Sequence, residues 1–305
     1  WELMETLTAL VAGNSTFDLD ALTLTNYVKE RICVERCHYH CNLSALCPYR
    51  SFLRRTRTAG YDFQIVNHNL VLADILSQKG GRSRLLPPSG LMVCDEAHKL
   101  LDAARKMYGM VFCSTELEQV AASVCRAAVS STDKKEILHL RGEMLRLNTL
   151  LFETLKQEAG AKYDKTSQAV RFTPAVTRIL RALAVVLGRL SSCFQTAKRY
   201  TLLASRIDQK QEKLMVLLEH AQSICWLEHT GVTSCQVCAL PKELDYLLYE
   251  DIWNSDIPCV LTSATLSIGG DFSHFMHQTG IDLLEQNRLL MTSKASPFDY
   301  ENHAL

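Results

Sequence analysis

The chain has no excess of either charge: 33 Lys and Arg stand against 33 Asp and Glu over 305 residues. It also lacks any long block of like charge. Bulk electrostatics therefore argues neither for nor against a nucleic-acid partner, and binding of that kind has to come from local basic stripes. No apolar run reaches the ~18 residues of a membrane span, so no membrane partner is expected. A secretory signal is absent as well, which points to a cytoplasmic protein. No internal repeat or low-complexity stretch is present. No glycine is followed by lysine, which excludes a G-x-x-x-x-G-K-[ST] phosphate loop from these residues. The sequence opens on Trp1 and begins and ends like the middle of a domain, so a piece of a longer protein is expected.

Hydrophobic residues make up 47% of the chain, enough for a substantial core in one large or two ordinary domains. Cysteine is plentiful, with 12 in all. Four of these, Cys33, Cys37, Cys41 and Cys47, fall within fifteen residues, spaced x3, x3 and x5, and Pro48 follows the last. Four thiolates this close suit one metal centre. Zinc usually takes paired Cys-x2-4-Cys elements a dozen or more residues apart, so a single uneven run fits an iron–sulfur cluster better. Ordinary buried cysteines are the bland alternative, and a disulfide framework does not suit a large chain without a secretory signal. Arg50, Arg54, Arg55 and Arg57 follow directly, as phosphate contacts or as a solvated helix face. Cys235-Gln236-Val237-Cys238 has redox-like spacing, but its alternation reads as a core strand.

Leu91-Met92-Val93-Cys94 reads as a short buried parallel strand that runs into Asp95-Glu96-Ala97-His98. Adjacent carboxylates at a strand's carboxyl end suit phosphoryl transfer. Asp95 can hold a Mg²⁺ that bridges nucleotide phosphates, and Glu96 can orient and deprotonate the attacking water. An acidic helix start is the structural alternative. Ser263-Ala264-Thr265, at the end of another apolar strand, offers hydroxyls that can bond to acidic residues on a neighbouring strand end.

Local patterns predict a strand at 63–66, a helix from Leu70 to Gln78, a strand at 91–94 and a helix from Ala97 to Tyr108, the signature of a parallel α/β sheet. A capping box at Thr115 to Glu118 opens a helix to about Val129. A long amphipathic helix over 133–159 carries Ile137, Leu140, Met144, Leu147, Leu151 and Leu155 on one face. Thr173-Pro174 starts further helix, so residues 111–222 read as nearly all helical. Strands at 224–228, 235–240 and 258–262, with a helix over 243–254, signal a return of α/β character. Trp226 and Trp253 read as core rather than base-stacking platforms, and Lys134, Lys135, Arg141 and Arg146 as a solvated face.

Taken in order, these residues resemble the superfamily 2 DNA helicases of the XPD/DinG type. The matching elements are the four-cysteine run ending Cys47-Pro48-Tyr49, then Ile65-Val66-Asn67-His68-Asn69-Leu70, and the DEAH box at Asp95 to His98. A helical block like the Arch domain follows, then Thr262-Ser263-Ala264-Thr265-Leu266 as motif III and Ser296-Pro297-Phe298 as the opening of a second motor domain. The resemblance implies an α/β fold: a partial RecA-like parallel-sheet motor domain with an iron–sulfur insertion and a mainly helical Arch-like insertion. On that reading 1–60 is the cluster segment, 61–110 motor domain 1, 111–222 the Arch-like insertion, 223–285 the return to motor domain 1 and 286–305 the start of motor domain 2.

The resemblance also implies an ATP-dependent helicase, monomeric and bacterial, moving 5′ to 3′ on single-stranded or forked DNA and serving DNA repair. Its cofactors would be ATP, Mg²⁺ and a 4Fe–4S cluster. Asp95 and Glu96 would serve Mg-ATP, and His98 would couple hydrolysis to DNA through Ser263 and Thr265. The cluster ligands would be Cys33, Cys37, Cys41 and Cys47, with an upstream cysteine as the alternative to Cys33. Asn67, His68, Arg50, Arg54 and Arg55 would touch DNA. Competing readings are a DinG-like nuclease without unwinding, or a metal-binding nucleic-acid clamp with a vestigial DEAH box. The missing phosphate loop and arginine-bearing motifs lead to the expectation that these 305 residues alone do not turn over ATP.

Overall fold

A computed structural model describes residues 45, 47–58, 60–81, 83–128, 133–159, 167–195, 200–229 and 234–294. The chain divides into two units, Trp1–Ile65 with Arg82–Pro88, and Val66–Gly81 with Ser89–Leu305. In the first unit, helix α1 (Pro48–Arg57) starts with proline at a position whose φ the ring already sets. It ends with Arg54, Arg55 and Arg57 against the negative end of the helix dipole. Gln64 Nε2 donates to Thr56 O at 2.8 Å and ties the following segment back to the helix. The strand predicted at 63–66 does not form: Phe63 and Ile65 are 91% and 99% exposed, and no ladder partner runs beside them among the described residues. Apolar content alone cannot make a strand without a neighbouring edge.

The second unit contains two hydrophobic cores. In one, β1 (Met92–Cys94) pairs in parallel with β6 (Cys259–Leu261), so that Cys94 stands opposite Leu261. Helices α2 (His68–Lys79), α3 (Leu100–Tyr108), α8 (Leu244–Leu248) and α9 (Ser273–Thr279) form this core with the pair, and α8 widens into a π-helix at Tyr249–Trp253. The strand at 91–94 is not buried as expected: Cys94 is, but Val93 and Val260 are 61% and 50% exposed, because the helices cover only one face of the pair. Leu72, Ala97, Ala104, Leu248 and Trp253 fill this core. Lys79 Nζ reaches both Asp251 oxygens at 2.8 and 3.0 Å, and Tyr108 Oη donates to Oδ2 at 2.8 Å. One carboxylate thus joins the ends of α2 and α3 to the π-helix. Gly280 closes α9 at φ +73, where an added Cβ would lie 2.0 Å from Asp245 O. Only glycine satisfies both constraints.

The other core belongs to α4 (Glu116–Ala128), α5 (Lys134–Ala159), α6 (Pro174–Gln195) and α7 (Thr201–Leu218). All six predicted apolar positions of α5, from Ile137 to Leu155, are at most 5% exposed. Residues 111–222 are nevertheless not all helical. Strands β2 (Met110–Cys113) and β3 (Ser167–Ala169) join β4 (Ser223–His229) and β5 (Cys235–Pro241) in one antiparallel sheet, ordered β2-β5-β4-β3. The strands after 222 therefore first build this sheet, and the parallel pairing resumes only at Cys259. Cys235, Val237 and Ala239 turn one face of β5 into the bundle core, as the alternation predicts. The capping box takes a different form. Glu116, not Glu118, reaches back to accept from Cys113 N at 3.0 Å, and Lys210 and Lys213 of α7 both bond its carboxylate. Among the described residues no helix is long and apolar enough to cross a membrane.

Candidate functional site

The candidate site is built on the β1/β6 pair, because parallel strands deliver both carboxyl ends to the same edge. Thr262 N donates to Cys94 O and Ala97 N to Thr262 O, each at 3.0 Å, so the pairing continues past the strands and brings the two loops together. Between those bonds the chain turns sharply. Glu96 has φ 49 and ψ 46, and is the positive-φ non-glycine residue among the described ones. A left-handed glutamate carries a conformational cost of about 1–2 kcal/mol, the kind of strain that the surroundings of a functional loop sustain. Asp95 Oδ1 accepts from Glu96 N at 2.9 Å and helps hold the turn.

Asp95, Glu96 and His98 are all exposed on this turn. His98 Nδ1 lies 2.8 Å from Ser263 Oγ and 3.2 Å from Glu96 Oε2. Ser263 Oγ in turn accepts from Thr265 N at 3.2 Å and lies 3.4 Å from Thr265 Oγ1. Residues 165 positions apart thus form one polar chain from Glu96 through His98 to Ser263 and Thr265. Such a chain can report the state of the Glu96 carboxylate to the loop after β6.

Asn67 and His68 approach the same edge from α2. Asn67 caps that helix, its Oδ1 accepting from Leu70 N at 2.9 Å. His68 Nε2 lies 3.0 Å from Asp95 O and 3.3 Å from Cys94 Sγ. Burial first, then Cys259 and Asp95, push the Cys94 thiol up to about 11, so it stays uncharged at neutral pH. Both side chains expected to touch DNA are thus engaged in the fold. The contact between Cys94 and His68 was not legible in the sequence, since it exists only once α2 lies beside β1.

Asp95 keeps lone pairs for a cation after bonding Glu96 N, and an exposed carboxylate beside a second one fits Mg²⁺, which takes one or two carboxylates and completes its shell with phosphate and water. Among the described residues no group of three or more His, Cys, Asp or Glu is arranged to hold a metal by itself. Cys33, Cys37 and Cys41 lie outside the described residues, as does Ser296-Pro297-Phe298. Cys47 is half-buried at the start of α1. On that helix Arg50, Arg54 and Arg57 share one stripe by their spacing, and Arg55 is offset. Cys238 is a core thiol, pushed up to about 12 by burial and then by Glu228. Trp226 Nε1 donates to Glu228 at 2.6 Å and buried Trp253 Nε1 to Thr279 O at 2.7 Å, so both indoles are anchored in the fold.

No family model matches the chain. It is 26% identical over 259 residues to the ATP-dependent DNA helicase YoaA of Escherichia coli K12, covering 82% of this chain and 39% of that protein. The probable ATP-dependent helicase YpvA of Bacillus subtilis is 25% identical over 250 residues, 79% of this chain and 37% of its own length. The ATP-dependent DNA helicase DinG of Photobacterium profundum is 24% identical, covering 88% of this chain and 44% of that protein. The resemblance to helicases of the DinG type thus runs along about four-fifths of the chain at low identity. The chain spans about two-fifths of the length of these relatives.

Proposed function

We propose, starting from the chain's similarity to DinG-type ATP-dependent helicases, that it supplies the DEAH half of a DNA helicase's nucleotide site. The observation that carries this reading is the 2.8 Å approach of His98 Nδ1 to Ser263 Oγ beside the paired carboxylates. That contact connects a hydrolytic residue pair to a second loop, as a motor that couples hydrolysis to movement requires.

Bound Mg-ATP would supply the phosphoryl group and neutralise its developing charge. Asp95 would hold the Mg²⁺. Glu96 would orient the attacking water and accept its proton as the oxygen–γ-phosphorus bond forms and the bond to ADP breaks. His98 would sense Glu96 and pass the change to Ser263 and Thr265. The phosphate-cradling loop would come from outside these residues, since no Gly-Lys pair occurs in them. The block over 110–241, bundle and antiparallel sheet together, would be the Arch-like insertion. Cys33, Cys37, Cys41 and Cys47 would hold the 4Fe–4S cluster, and Arg50, Arg54 and Arg55 would bear on the DNA backbone beside it. Movement would run 5′ to 3′ on single-stranded DNA.

The test is Glu96→Gln in the protein that carries this chain with its phosphate loop. DNA-stimulated phosphate release should fall by about 10²–10⁴-fold while DNA affinity is kept. A wild-type protein that binds DNA and never hydrolyses ATP would sink the motor reading in favour of a clamp. For the cluster, anaerobically purified protein should be brown and lose its visible absorption on Cys41→Ser; colourless protein with stoichiometric zinc would refute it.

A further inference from the structure

The turn that presents Asp95 and Glu96 is held from three directions. Backbone bonds to Thr262 fix it on one side, and the Asp95 side chain fixes it from within. The third hold comes from α2. His68 stands at the first position of that helix, and its Nε2 meets the Asp95 carbonyl at 3.0 Å. A carbonyl oxygen can only accept, so Nε2 must carry the hydrogen. The Cys94 sulfur at 3.3 Å is then a weak second acceptor for the same N–H.

The Asp95 carbonyl belongs to the peptide that leads into Glu96. Rotation of that peptide changes Glu96 φ, the strained torsion at 49°. A donor fixed on Asp95 O opposes that rotation. The donor is itself anchored, because Asn67 caps α2 immediately before it and Leu72, one turn on, is fully buried.

We propose that His68 is a positioning residue for the DEAH turn: its Nε2–H holds the Asp95 carbonyl and thereby keeps Glu96 in the left-handed conformation. The consequence for turnover rests on the helicase reading above; the hold on the turn does not. The proposal replaces the expectation that His68 contacts DNA.

Three measurements decide it. In wild-type protein, long-range nitrogen-15 spectra should show His68 with its proton on Nε2; an Nδ1–H tautomer overturns the proposal. His68→Phe keeps an aromatic ring and removes the donor, and His68→Gln restores an N–H. Without nucleotide, amide exchange at Ala97 should quicken about tenfold in the Phe variant and largely recover in the Gln variant. Unchanged exchange at Ala97 overturns the proposal. In DNA-stimulated ATP hydrolysis, the Phe variant should lose about 10- to 100-fold in kcat, with the KM for ATP and the DNA affinity within about twofold of wild type. A weakened DNA affinity with unchanged kcat at saturating DNA would make His68 a DNA contact instead. If the wild type hydrolyses nothing, the helicase reading fails, and the tautomer and exchange measurements still decide the role of His68.

Discussion

Glu96 and Gly280 solve the same backbone problem at different positions. Both are left-handed, at φ 49 and 73. Gly280 is a packing solution, because a side chain there would run into the Asp245 carbonyl. Gly280→Ala should therefore lower stability by more than about 2 kcal/mol, as the left-handed penalty and the clash add, and a denaturant titration reads this directly. Glu96 carries the same conformation with its side chain exposed, so no clash forbids a carboxylate there. Ser263 shows the converse economy. It is half-buried, and its bonds go to His98 and to the loop after β6. Ser263→Ala should leave folding within about 0.5 kcal/mol of wild type. On the proposed motor function it should also cut DNA-stimulated ATP turnover about tenfold, the worth of the one hydrogen bond to His98.

The bundle offers a sharper test at the scale of the element. Glu116 joins α4 to α7 through Lys210 and Lys213. Burial works to raise its pKa, but the bonds from Lys210 and Lys213, with one from Cys113 N, outweigh burial and hold the carboxyl below the ordinary range. A depressed folded-state pKa stabilises the protein above the unfolded value and loses that stabilisation as pH falls through the folded one. The helical core should thus lose stability as pH falls below the ordinary glutamate range. Glu116→Gln should flatten that part of the pH–stability curve while being less stable at pH 7. Circular dichroism melts at several pH values check both. The antiparallel sheet is the other lesson of this scale. Met110–Cys113 is four apolar residues after a helix, a pattern that suits helix or strand equally. Its partner, Gln236 to Ala239, lies more than 120 residues away, out of reach of any local pattern.

For the whole molecule, the two-carboxylate edge and the absent Gly-Lys pair lead to one outcome. The 305-residue chain by itself should release no phosphate from ATP above background, with or without DNA, whereas the protein that adds a phosphate loop should. Robust DNA-stimulated turnover by the chain alone would show that the phosphates are cradled by some other arrangement.

What the sequence determined by itself was local or ordered along the chain. The helices with a strong 3.6-residue stripe, such as α5, were legible because burial periodicity is written residue by residue, and the strand end at Cys94 was legible as a short apolar run before two carboxylates, though its burial on both faces was not borne out. The succession of DEAH, helical block and Ser-Ala-Thr carried the resemblance that the comparisons extend over four-fifths of the chain. Tertiary structure alone decided which strands pair with which, since β1 finds its neighbour in β6 and the strands between them form a sheet of their own. It alone placed His68 on the Asp95 carbonyl, gave Glu96 its left-handed turn and gathered Lys79 and Tyr108 onto Asp251. Contacts of that kind depend on the distance between elements far apart in the chain, a quantity that no sequence interval contains.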